Sequence, residues 1–448
     1  QCPFEVEITG PDRATLRVAG ETYPLVAGRY TPWIKVEFKA APTIKVRGIC
    51  EILLLATEPD FQLYVTPIQI DPDKPAMPIS HPAVFCTYLS KKQGSYATLG
   101  LAEDTWGLNA EILGDDDFLH QCIEADQERE KMFFDALSKV RRGLVTCVFD
   151  GMDRIQHMFW RYLDQAHPAH AGQAKEQHRE AIPELYQRMD EMVGRTMKAC
   201  AGADTVLMVI SDHGFKPFRR GVDLNVWLEQ NGYLTFKPDC DHGQKYLAAV
   251  DWSKTRAYCV GLAGIWLNVK GNESQGIVDP KDAEALRNEL CKKLTGLRDD
   301  ERDELAINQA YNSRRIYRGP YASEAPDIII GYNVGYRVSW EAAIGQPTDK
   351  VFHDNMKAWS GDHCIDPRLV PGVLFCNRKI ASEKPRLMDL GTTALEMFGV
   401  EVPSYMDGKP LKIADADGTF PGGNGSANGN GRRVGPSGAA KTEEAASV

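Results

Sequence analysis

An α/β fold, with a mostly parallel sheet flanked by helices and a β-rich inserted cap region, is predicted for this 448-residue chain from three observations. From Gly143 onward, apolar runs of strand length alternate with helix-periodic stretches, which is the pattern of α/β units. One of those runs, Val206–Ile210, stops abruptly at Ser211-Asp212-His213-Gly214, and ligands of open α/β sheets sit beyond such strand ends. Residues 4–70 read differently. Ala14-Thr-Leu-Arg-Val-Ala, Trp33-Ile-Lys-Val-Glu-Phe, Thr43-Ile-Lys-Val-Arg and Phe61-Gln-Leu-Tyr-Val alternate with period two between turns, as antiparallel strands do.

Residues 71–115 are rich in proline (Pro72, Pro75, Pro78, Pro82) and read as loop. Asp115-Asp116-Asp117 precede a helical stretch from Phe118 to Val140, where carboxylates favour a helix N-terminus. Gly143–Phe149 is a continuous apolar run and reads as the first strand of the α/β part, ended by Asp150-Gly151. Helices are expected over Met152–Leu163 and Gln173–Ala199, then a strand over Asp204–Ile210. A short helix follows at Asp223–Gln230, stopped by Gly232. Short strands fill residues 233–280, including Gly264–Val269, and a helix is expected over Pro280–Leu294. Asp327–Gly331 and Val370–Phe375 read as buried strands, separated by a long polar connection, Val334–Asp366, and Met388–Phe398 as the closing helix. The expected organisation is therefore a β-rich region over 1–115, an α/β core over 116–414 with an insertion around 233–325, and a disordered tail over 415–448. The tail is Gly/Asn/Ser-rich and too poor in apolar residues to order itself.

Composition narrows the partners. A net charge of −10 argues against a nucleic-acid-binding surface. The 11 cysteines are scattered without a Cys-x-x-Cys pair, and several lie in apolar runs, as Cys147, Cys259 and Cys376 do. This favours a reducing, cytoplasmic compartment. No run has transmembrane length. The Walker loop, the Gly-x-Ser-x-Gly elbow and the His-Glu-x-x-His motif are absent.

Three constellations carry chemistry. Asp153 and His157 are four apart on an expected helix, so they share a face and can hold one ion. A surface Asp–His pair is the plain alternative, and Asp150 is a rival carboxylate that could instead cap the helix. Asp212-His213 stand at a strand end, where Gly214 lets the backbone turn away; alone, they also read as a polar turn. His363, in Gly361-Asp362-His363, lies in a polar loop before the strand Val370–Phe375. Mixed Asp/His ligation suits zinc or manganese, and a pair of such ions is an apparatus for phosphoester hydrolysis. Five ligands are too few for two ions, so a further carboxylate and a nucleophile are expected from elsewhere. Trp160, Trp227 and Tyr233 read either as walls of a base-binding slot or as core.

In order and context, Asp153-x-x-x-His157, Ser211-Asp212-His213-Gly214 and Gly361-Asp362-His363 resemble the alkaline phosphatase superfamily, and within it the type I phosphodiesterase/nucleotide pyrophosphatase family. Asp153-Arg-Ile-Gln-His-Met-Phe-Trp160, Gly361-Asp-His-Cys364, Leu390–Pro403 and Met406-Asp-Gly408 extend the likeness over about Gly143 to Leu411. The resemblance implies an alkaline-phosphatase-like sheet and a two-metal phosphoric-ester hydrolase acting on a small phosphoester or nucleotide-like substrate. Asp153, His157 and His363 would hold one divalent ion, Zn2+ or Mn2+, and Asp212 and His213 the other. It also implies an early aspartate ligand and a Thr or Ser nucleophile. The chain begins at Gln1 rather than methionine, and both groups are expected upstream of it, so this chain is expected to turn over substrate weakly or not at all. A phosphomutase or sulfatase relative, or an inactive metal- or phosphate-binding module, shares the same metal frame.

Overall fold

The structure is a computed structural model that describes residues 1–170, 176–202, 204–238, 240–415 and 417–420. The expected tail falls almost wholly outside the described residues, as do the first residues of the expected Gln173–Ala199 helix. The chain forms two compact units, Gln1–Ala201 with Val209–Leu374, and Gly202–Met208 with Phe375–Val448.

In the first unit, alternation over the N-terminal stretch gives antiparallel strands. Phe4–Gly10, Arg13–Val18 and Glu21–Val26 form one sheet, and Ile34–Ala41, Ile44–Cys50 and Gln69–Ile70 another. Ala14, Leu16 and Val18 point inward with Ile34, Val36, Cys50 and Ile52, whereas Arg13 and Arg17 stay exposed. Period-two patterning of this kind fixes register, because a slip by one residue would turn Leu16 out and Arg17 in.

A second core is helical. In the Gly151–Leu163 helix, Ile155, Met158, Phe159 and Tyr162 form one stripe. They pack on Phe118 and Cys122 of the Asp115–Lys139 helix and on Ala181, Ile182 and Leu185 of the Ala181–Ala199 helix. The spacing is that of an amphipathic helix with one buried face. Asp117 caps the Asp115–Lys139 helix, accepting from Gly114 N at 3.2 Å.

The third core lies on an antiparallel sheet of Ala257–Cys259, Gly264–Leu267, Ile328–Tyr332 and Ile307–Asn312. The Leu224–Gln230 helix, capped by Asp223, and the Ala283–Leu294 helix contribute to it. Trp227 and Tyr233 are core residues here, which settles them as packing rather than slot walls.

The secondary structure is mixed α/β, but the expected large parallel sheet is not seen among the described residues. The strands form small, mostly antiparallel sheets; Lys216–Val222 does run parallel to Gly335–Val338. The main departure is Gly143–Phe149, which forms no strand. Leu144 and Val148 are 64% and 72% exposed, whereas strands of a parallel sheet are buried on both faces. The next expected strand shortens to Met208–Ile210, and Ile210 is exposed. Asp327–Gly331 appears as Ile328–Tyr332, buried as expected but paired antiparallel on both edges.

In the second unit, the expected closing helix is Leu387–Met397. Asp389 pins the loop after it: Arg386 N and Lys409 N both donate to its carboxylate at 2.9 Å.

Candidate metal centre

The Gly151–Leu163 helix turns its apolar stripe to the helical core, and residues 153 and 157 fall on a neighbouring face. His157 is 2% exposed there. Its Nδ1 lies 2.7 Å from the Gly361 carbonyl oxygen. A carbonyl can only accept, so Nδ1 carries a proton and Nε2 is the nitrogen turned toward the group. That Nε2 faces Asp153 Oδ2 at 3.4 Å. His363 Nε2 faces the same oxygen at 3.5 Å. The other Asp153 oxygen is taken by Arg154.

Ligand atoms of Asp153, His157 and His363 all lie within 4.8 Å of one another, the one such group of three among the described residues. Burial raises the Asp153 carboxyl, but the hydrogen bond and charge of His157, with Arg154 and His363, outweigh it, so its pKa is lowered. His363 is pushed down to about 4 by burial and by His213 and His157, against the pull of Asp362 and Asp153. It is therefore a neutral imidazole at neutral pH. Two imidazole nitrogens thus converge on a single carboxylate oxygen. The donor set fits a divalent ion such as zinc, and a ligating histidine whose other nitrogen donates to a carbonyl is the usual arrangement around metals.

Asp212 and His213 lie beside this group without joining it. The His213 and His363 rings stack with centroids 3.5 Å apart and planes 9° from parallel. His213 Nδ1 lies 3.1 Å from Gly214 O, and Nε2 is 3.6 Å from Asp212 Oδ2. The pair thus repeats the first arrangement, with Nδ1 donating to a carbonyl and Nε2 turned to a carboxylate. Asp212 remains largely exposed, its side chain at 69%. The turn is fixed by Ser211 N donating to Val373 O and Gly214 N to Val370 O, both at 3.0 Å. A Cβ on Gly214 would come 3.1 Å from Pro371 O. Two backbones come close at this glycine, and the turn is not left-handed.

Aromatic rings wall the centre. Trp359 lies 3.8 Å from the His157 ring and Phe215 4.7 Å from it, centroid to centroid. Trp160 stacks on Phe215. Asp150, the rival carboxylate, neither caps the helix nor joins the group; it pairs with Arg129 at 3.2 Å. Of the other histidines, His167 bonds Phe218 O and His178 bonds Asp116.

Two residues that contact this loop, Asp362 and Arg337, carry no signal of their own in the sequence. Asp362 is the middle residue of Gly-Asp-His, and Arg337 falls in the polar connection Val334–Asp366. In the structure they form a buried pair at 2.8 Å, and Asp362 accepts from the backbone amide of His363. Their burial is not visible from sequence spacing.

Comparison with known families matches residues 90–356 to the type I phosphodiesterase / nucleotide pyrophosphatase family. The match spans more than half of the chain and includes Asp153, His157, Asp212 and His213, stopping short of His363. No curated protein matches the chain. The chain belongs to the type I phosphodiesterase/nucleotide pyrophosphatase family.

Proposed function

We propose that this member of the family is a metal-dependent phosphoric-ester hydrolase working through a two-metal centre. Asp153, His157 and His363 would hold one divalent ion, and Asp212 and His213 would contribute to the other. The observation that carries the reading is the convergence of His157 Nε2 and His363 Nε2 on one Asp153 oxygen, at 3.4 and 3.5 Å. Zn2+ suits the donors best, with Mn2+ as the alternative. Such ions, when bound, polarise a phosphoryl oxygen and lower the pKa of water.

The chain's own residues supply binding and orientation. Gly361 O and Gly214 O fix the tautomers of His157 and His213, so each presents Nε2 toward a carboxylate. Arg154 occupies one Asp153 oxygen and leaves the other for an ion. The Trp359, Phe215 and Trp160 rings line one side of the centre and exclude water there. We assign no nucleophile within residues 1–448. The β-rich N-terminal region and the 233–325 stretch are the proposed sources of substrate selectivity. The unpaired state of all eleven cysteines supports a reducing compartment.

Metal stoichiometry tests the reading. A metal-free, full-length form is expected to take up two equivalents of Zn2+, and to bind inorganic phosphate only when loaded. His363→Ala and Asp212→Ala should each lose one equivalent. Two equivalents retained in both variants, or phosphate binding indifferent to metal, would overturn it. Turnover of a simple phosphodiester by this chain is expected to be weak even with Zn2+ present; vigorous turnover would show that a nucleophile lies within it.

A further inference from the structure

We infer that Asp362 is a positioning residue for the metal centre, acting with Arg337 and Trp359. The inference rests on the metal reading of Asp153, His157 and His363. Asp362 is 1% exposed. Its Oδ1 accepts from the backbone amides of His363 and Cys364, both at 2.7 Å. Its Oδ2 accepts from Trp359 Nε1 at 2.8 Å and pairs with Arg337 Nε at 2.8 Å. A carboxylate offers about four acceptor sites; here three hydrogen bonds and the ion pair to Arg337 engage both oxygens of Asp362 from within the protein.

Asp362 thereby holds both imidazoles. Its bonds to the two following amides close a tight Asx-type turn, which sets the direction in which the His363 side chain leaves the backbone. Its bond to the indole fixes Trp359, whose ring lies 3.8 Å from that of His157. One carboxylate thus braces a histidine ligand on each side. Arg337 braces it from a buried position: the residue is 2% exposed, its guanidinium lying 5.1 Å from the Phe218 ring and 4.6 Å from that of Trp340. A buried ion pair adds little net stability over an apolar pair of equal volume. An apolar pair, however, could not bond two amides and an indole at once.

The test compares Zn2+ affinity, and the absorption spectrum of bound Co2+, in wild type, Asp362→Asn, Trp359→Phe and His363→Ala. Asp362→Asn is expected to weaken binding of one ion by about 10–100-fold, the range for partners of metal ligands, and to shift the Co2+ spectrum with stoichiometry unchanged. Trp359→Phe, which keeps the Asp362–Arg337 pair, should weaken the same ion by a smaller factor, and it decides alone if Asp362→Asn does not fold. Wild-type affinity and spectrum in the foldable variants, with the ion lost in His363→Ala, would overturn the positioning role and leave the metal reading standing. An ion retained in His363→Ala would overturn the metal reading itself.

Discussion

His157 shows how much a single residue is constrained here. Its backbone oxygen accepts from Ser360 N at 2.7 Å, its Nδ1 bonds Gly361 O, and Trp359 lies over its ring. Only Nε2 is left. The site loop comes this close because residue 361 is glycine: a Cβ there would run into the Gln156 carbonyl oxygen. Gly361→Ala is therefore expected to cost about 1–3 kcal/mol, as overpacking does, and to weaken Zn2+ binding with it; urea denaturation and a Zn2+ titration read both. A second residue predicts a pH effect away from the centre. Glu51 is pushed up to about 8 by burial and by Glu124 and Glu128. Between its ordinary value of 4.5 and about 8, the unfolded chain has lost this proton and the folded chain keeps it. Glu51 thus makes stability fall as pH rises through that window. Glu51→Gln should match wild type near pH 4 and exceed it at pH 8 in urea midpoint; equal midpoints at pH 8 would refute the assignment. At this scale, Asp153 and His157 were legible because a four-residue spacing on a helix has one geometric meaning. His363 was legible only as part of an ordered set, and Asp362 and Arg337 not at all, since their role lies in burial and in a contact across the loop.

At the scale of elements, the Gly151–Leu163 helix does two jobs with two faces. Phe159 is fully buried against Phe118, their ring centroids 6.4 Å apart. Phe159→Ala should cost about 3–5 kcal/mol, lowering the urea midpoint with the slope unchanged. A loss under about 1 kcal/mol would mean that the stripe is not the anchor of the helix. The helix, its bounds and its two faces could be read from the sequence because 3.6-residue periodicity is a local property. Gly143–Phe149 shows the limit. Its apolar run has the composition of a buried strand, but a strand exists only where another strand lies beside it, and neighbours are a property of the fold. Ile328–Tyr332 makes the same point in reverse: its burial was legible, its antiparallel pairing was not.

At the scale of the molecule, a family match over residues 90–356 implies a phosphoester substrate. No helix among the described residues is long and apolar enough to cross a membrane. A ligand that binds only the folded chain stabilises it, by about 2.7 kcal/mol at a hundredfold excess over Kd. Zn2+ should accordingly raise the unfolding temperature of wild type, and raise it less in His363→Ala; an equal rise in both would place the ion elsewhere. The most direct test of the account isolates the three-residue group. Asp212→Ala/His213→Ala protein, loaded with one equivalent of Zn2+, is examined by X-ray absorption at the zinc edge. Nitrogen and oxygen ligands are expected at about 2.0–2.2 Å, with outer-shell scattering from two imidazoles that falls to one in the further His157→Ala variant. Scattering without imidazole, or unchanged by His157→Ala, would contradict the metal reading.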